Sequence, residues 1–204
     1  RDLHRLIRRQ RQMCIRDRSK AIGVPQVYLR SGGTDDETDV LRMGLLKARR
    51  EYEIEGVVSG ALLSDFQRME FNLICEELGL KSYSPLWRKD QESYLLELVD
   101  SGFEIVLTGI YTDFIPKRLL GEVLTRGDAE EIVRSSREYG FNAAFEGGEA
   151  ETFVVDAPAF KKKLRIVRGR KVEGAWGSRY EIEEVELLDK PRGVDENAQE
   201  SGLS

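Results

Sequence analysis

The chain has 204 residues, 40% of them hydrophobic and 34% charged, with a formal charge of −5; this describes an ordinary soluble acidic protein with enough apolar material for a core. No apolar run is long enough to span a bilayer, and two cysteines, Cys14 and Cys75, give neither a disulfide framework nor a cysteine-rich zinc site. The single histidine, His4, excludes histidine-based triads and leaves catalysis to carboxylates, hydroxyls and backbone groups.

The first twenty residues carry eight Lys/Arg against two Asp, so that they stand at +6 and the remainder at −11. A basic arm of this kind suits nucleic acid, but Met13–Arg18, "MCIRDR", reads as the translation of a transposon-end sequencing adapter, ATG TGT ATA AGA GAC AG. Residues 1–18 are therefore expected to be an artefact, with the natural sequence beginning near Ser19, and no direct nucleic-acid contact is expected.

"IGVPQVYLR" has the composition of a buried strand, followed by Ser31-Gly32-Gly33 and then a helix. Thr34 and Glu37 have capping-box spacing, and Leu41, Leu45, Ala48 and Tyr52 repeat along one helical face. Gly56–Gly60 reads as a second strand. Ser64–Leu78 is helical, with Phe66, Met69, Leu73 and Ile74 on one side and Gly79 as terminator. "KSYSPLW" is a third extended piece, "DQESYLLELVDSG" a helix with Asp90 as N-cap, and "FEIVLTGIY" a fourth strand. This alternation predicts an α/β fold, a parallel sheet flanked by helices over residues 19–110.

Beyond Tyr111 the pattern changes. A helix with a D-x-x-E box at Asp128 and Glu131 precedes three β segments, "ETFVVDAP", "KKLRIVRGRKVEG" and "YEIEEVELLD". Alternation slips between Ile182 and Val185, which predicts a bulge. Residues 111–190 thus read as a smaller strand-rich domain, and 191–204 as a disordered tail. The Lys161–Lys163 run is expected to guard a strand edge, and Asp156 to cap or bind.

Two glycine pairs compete for function. A phosphate turn needs free N–H groups at a positive helix end, yet the helix after Ser31-Gly32-Gly33 begins with Asp35, Asp36, Glu37 and Asp39 and has no Lys or Arg before Val40. Those carboxylates neutralise the terminus and would repel a triphosphate. The second pair, Gly147-Gly148 in "FEGGEAETFVVDAPAF", sits among Glu146, Glu149 and Glu151. Three like charges in six residues fit either an acidic connection in which glycine supplies the turn or a site that shares a cation.

"EGGEAE" with "TFVVDAPAFKK" resembles the EGG(E/D)xE signature of the diphthine–ammonia ligase family of N-type ATP pyrophosphatases. "EGVVSGALLSDFQR", "LGLKSYSPLWRKDQESYL" and "GFEIVLTGI" resemble it too, in order, over about Ala21–Asp189. The resemblance implies a Rossmann-like (HUP-type, adenine nucleotide α-hydrolase) domain with a distinct C-terminal domain, and the lack of a disulfide framework fits a reducing cytoplasm. It implies ATP-dependent amidation of diphthine on translation elongation factor two by ammonia, with AMP and pyrophosphate released and Mg2+ assisting. The family's SGGxDS turn belongs before the matched region, so the fold is expected to be incomplete at its N-terminus and catalysis impaired; a non-catalytic nucleotide- or protein-binding module and a tRNA-modifying pyrophosphatase are the alternatives.

Within that resemblance, Gly60 is expected to admit the nucleotide, with Ser64, Gln67 and Arg68 facing it from the first helical turn; the plain reading of Ser64 is an N-cap and of the other two a solvated face. Glu70 stands where relatives often have a basic residue. Glu146, Glu149 and Glu151, with Gly147 and Gly148, are expected to recognise the trimethylammonium group of diphthine or ammonium, with a magnesium ion as a further occupant because carboxylates suit hard cations, and no residues are assigned to a separate metal site. Trp87 or Tyr83 would add a cation–π contact, against their plain reading as core.

Overall fold

The computed structural model describes residues 15–29 and 37–190, without the side chains of Glu37, Phe66 and Gln67. The Gly-rich turn at 31–33, the Thr34 cap, His4, Cys14 and the tail from 191 lie outside the described residues. The chain is mixed α/β: a short two-stranded parallel sheet with helices, and a four-stranded antiparallel sheet.

The leading helix α1, described over residues 15–22, buries Ala21 against Val106, Phe153 and Leu164 of the antiparallel sheet. Its end is fastened there by the Lys161 amide, which donates to the Ala21 carbonyl at 2.7 Å. Residues 24–29 form no strand, contrary to their Val/Tyr content: Pro25 has no N–H to give a ladder, and no described strand runs beside them.

Helix α2 (Glu37–Tyr52) leads to β1 (Gly56–Val58), α3 (Asp65–Glu77) and β2 (Lys81–Tyr83). Strands β1 and β2 pair in parallel, Gly56 with Lys81 and Val58 with Tyr83, as the strand–helix–strand order requires. Gly79 ends α3 at φ +63°. Arg42 ties α2 to Glu77 of α3 at 3.0 Å.

Helix α4 (Gln91–Asp100) is capped by Asp90, whose carboxylate accepts from the Ser93 amide. The next strand, β3 (Glu104–Ile110), corrects the expected topology. It joins the antiparallel sheet of order β4-β3-β6-β5, between β4 (Ala150–Asp156) and β6 (Gly177–Asp189). Its burial on both faces reads like a parallel-sheet strand in sequence, but here one face meets helices and the other the curl of a hairpin. The parallel sheet is accordingly two strands, and only Lys81–Tyr83 of the third extended piece is strand.

After a 3-10 turn, Lys117–Leu119, comes α5 (Arg126–Tyr139), capped by Thr125 and Asp128 in a capping box and ended by Gly140 in the left-handed region. The box thus begins at Thr125, three residues ahead of the spacing read from Asp128 and Glu131. Helices α4 and α5 cover one sheet face through Leu95, Ile132 and Val133. The long hairpin of β5 (Lys162–Gly174) and β6 curls over the other face through Leu164 and Ile182. Pairing slips where Arg168 meets Glu184 and Gly169 meets Ile182, the bulge that the broken alternation foretold. Edge strand β5 carries Lys162 paired to Asp189 and Lys163 to Glu104, and Asp156 accepts from its neighbour Ala157 and from Lys190.

Candidate functional site

The loop after β1, Ser59–Ser64, meets the loop before β4, Asn142–Glu149, and the contact is made by Glu146. Its two carboxylate oxygens accept from the Leu62 amide at 3.0 Å and the Leu63 amide at 3.1 Å. This joins segments 84 residues apart. A carboxylate taking two consecutive amides has the geometry of an anion in a backbone nest, so both Glu146 oxygens are engaged with the chain itself.

Glu149 behaves differently. Its side chain folds back over Gly147, where an added Cβ would stand 2.4 Å from Glu149 Oε1 and would push that carboxylate aside. Gly148 takes φ +87° and Phe145 φ +65°, which closes the loop so that the Gly148 amide donates to the Phe145 carbonyl at 3.1 Å. Glu149 Oε1 accepts from the Asn142 amide at 3.1 Å. Its Oε2 is buried and meets no donor among the described residues, a position that costs free energy until something donates to it.

Glu151 lies within β4. Register aligns it with Gly109 of β3, which in turn faces Arg179 of β6. The Tyr111 ring covers the space over Gly109, where a Cβ would sit 2.7 Å from its hydroxyl oxygen. Arg179 Nε donates to that oxygen at 3.2 Å, and the phenol is hydrogen-bonded to Glu151. Burial raises the Tyr111 pKa, the Glu151 charge raises it further, and Arg179 opposes both. The three glutamates thus have different partners: Glu146 holds the β1 loop, Glu149 carries an oxygen with no donor among the described residues, and Glu151 belongs to a Tyr111–Arg179 cluster. Among the described residues, no three His, Cys, Asp or Glu side chains converge as a metal site.

Gly60 is exposed, and a Cβ there would meet nothing within 4 Å, so neither packing nor a positive φ requires glycine at this position. Ser64 precedes α3 and its carbonyl accepts from the Arg68 amide at 3.1 Å. Arg68 lies with its guanidinium carbon 4.6 Å from the centre of the Trp87 ring, and one of its nitrogens reaches Asp65 at 3.3 Å. One face of the Trp87 ring is thus already met by the chain's own cation. Tyr83 is 65% exposed at the end of β2, not core. The Gln67 side chain lies outside the described residues, and Glu70 accepts from Thr38.

Two pockets flank the Glu146 contact. One, of about 330 Å³, includes Gly60, Leu62, Tyr94, Phe145 and Glu146 in its lining. The other, of about 340 Å³, includes Leu63, Arg88, Gln91 and Asn142. Burial raises the Tyr94 pKa; Lys89 counters this and the Glu146 charge adds to it. Sequence reasoning missed Arg88 and Gln91. Arg88, in the left-handed region at φ +59°, carried no glycine or asparagine to mark its turn.

Comparison with known proteins adds the following. Residues 12–82 match the family profile described as diphthamide synthase N-terminal domain, and residues 90–188 the one described as diphthamide synthase C-terminal domain. The chain is similar to diphthine–ammonia ligase of Rattus norvegicus, 38% identical over 151 residues, 73% of this chain and 55% of that protein. The Homo sapiens protein of the same name is 33% identical over 150 residues, with the same two shares. That of Schizosaccharomyces pombe is 33% identical over 143 residues, 70% of this chain and 23% of the relative. The chain spans about half the length of the first two relatives that it matches.

Proposed function

Because the chain belongs to the diphthamide synthase family, we propose that it carries part of an ATP-dependent diphthine–ammonia ligase, a cytoplasmic enzyme that acts on elongation factor two. In this reading β1, β2 and their helices are a portion of a Rossmann-like, HUP-type nucleotide domain. The loop after β1 is its ligand side, since open α/β sheets bind at the carboxyl ends of their strands.

The observation that carries the reading is the Oε2 of Glu149, buried and with no donor among the described residues. It is an acceptor prepared for a group that brings N–H or positive charge, such as ammonia, ammonium or the diphthine cation. Glu149 would hold the incoming nitrogen, and the open space over Gly60 would admit ATP beside Ser64, Gln67 and Arg68. ATP supplies the activation of the diphthine carboxylate, releasing pyrophosphate and then AMP as the amide forms. Magnesium enters with the phosphates, since the described acids form no cage of their own. Glu151, held by Tyr111, positions β4 beside that acceptor, and Glu146 ties the loop after β1 to it while no ligand is bound.

The test uses intact protein with diphthine-bearing elongation factor two, ATP and ammonium, and follows AMP release and conversion of carboxyl to carboxamide. Glu149→Gln loses amidation with its fold unchanged by circular dichroism. Undiminished turnover in that variant removes Glu149 from the site. AMP release driven by transfer RNA instead of elongation factor two overturns the substrate.

A further inference from the structure

The Leu62 and Leu63 amides already hold an anion, the side chain of Glu146, an exposed residue whose bond to Leu62 is half-buried and whose bond to Leu63 is exposed. Its exposure makes the bond exchangeable, because water and ions compete for both partners. The loop bearing Glu146 is closed by its own backbone, through the Gly148 to Phe145 bond and the left-handed Phe145, so the carboxylate can leave while the loop keeps its shape.

Beside the amides stand two further donors, the exposed guanidinium of Arg88 and the buried carboxamide of Gln91. The Arg88 amide donates to the Leu62 carbonyl at 2.8 Å, which fixes Arg88 against this loop, yet among the described residues its guanidinium makes no ion pair. Gln91 Nε2 is buried and likewise meets no acceptor among the described residues. Both residues line the pocket that Leu63 borders. The acids of that pocket are committed elsewhere: Asp90 caps α4 and Glu92 pairs with Arg137.

We propose that the Leu62 and Leu63 amides, with Arg88 and Gln91, form a binding site for a phosphate-class oxyanion, which Glu146 occupies until the ligand displaces it. Two adjacent amides, a guanidinium and a carboxamide donor match an anion with several oxygens. A carboxylate fills only the amide half of the set and leaves Arg88 and Gln91 unmet. Leu62 lines one of the two flanking pockets, with Glu146, and Leu63 lines the other, with Arg88 and Gln91. The inference rests on the nucleotide reading for the natural source of the anion, not for the geometry.

The test is titration of the isotope-labelled full chain with inorganic pyrophosphate and, in parallel, with AMP, read by the amide resonances of Leu62 and Leu63. Glu146→Gln removes the internal competitor and tightens binding of one of these two probes by about ten-fold if the contact is closed nine-tenths of the time. Glu146→Asp, too short to span both amides, shifts affinity in the same direction and stands in should the first variant misfold. Arg88→Asn, which tolerates the left-handed backbone, weakens binding several-fold. Unchanged or weaker binding of both probes in the Glu146 variants overturns the proposal, as do Leu62 and Leu63 resonances indifferent to both. Because no amidation is needed for these readouts, this site stands or falls by them whether or not Glu149→Gln abolishes amidation in the intact protein.

Discussion

The two sheets treat similar apolar content in opposite ways. In the four-stranded sheet β3 has partners on both sides and cover on both faces: Leu107 is 0% exposed among helix residues, while Val106 is 2% exposed against Leu164 and Ile182. In the two-stranded sheet Val58 is 70% exposed, and Met69 and Leu73 of α3 are 56% and 58% exposed. The sequences of α3 and α5 are both amphipathic, so periodicity does not separate them. What separates them is the number of layers, because an apolar stripe is buried only by an opposing surface.

The largest way to test this contrast is a pair of truncations. Leu107→Ala destabilises the chain by about 2–5 kcal/mol, as loss of a buried side chain plus a cavity does, whereas Met69→Ala changes stability by no more than about 0.5 kcal/mol. Urea unfolding of the two variants decides it, and equal costs break the comparison. Next in size is local opening. Amides of β3 exchange with deuterium only on global unfolding, while those of β1 and β2, three paired residues each, exchange through cheaper sub-global opening. Mass-resolved exchange in which both sheets protect alike would unite them.

The smallest effect belongs to the α5 cap. Thr125→Ala costs about 1 kcal/mol and bears on the antiparallel sheet alone. Burial pushes the Asp128 carboxyl upward, but bonds from Thr125 and Arg118 outweigh it and leave the group below the ordinary aspartate value of 3.8. A depressed carboxyl stabilises the fold above that value and loses its contribution as pH falls through the lower folded pKa. Asp128→Asn therefore flattens the acid limb of stability below about pH 4, measured by thermal unfolding across that range; an unchanged limb assigns it to other carboxylates.

Local chemistry was legible. Asp90, Gly79 and the bulge near Ile182 each follow from one residue type at one place, and the helices and hairpin follow from period. The paired glycines were readable as a special loop. Partner choice was not legible: β3 is apolar on both faces whether its neighbours run parallel or antiparallel, so composition alone placed it in the wrong sheet. Likewise three glutamates in six residues suggested one shared cation, whereas strand register sends Glu151 to Tyr111 and a backbone turn sends Glu146 to amides 84 residues earlier in the chain. Long-range hydrogen bonds of that kind leave no periodic trace.

The bond from Lys161 to Ala21 makes everything between α1 and β3 an excursion that leaves the antiparallel sheet and returns to it. Should β1 and β2 come apart, they release a tethered loop and not a free arm. The entropy gained grows only with the logarithm of loop length, and reclosure is intramolecular. Parting of the two strands thus opens that segment without losing it, and the same anchorage returns it to register afterwards.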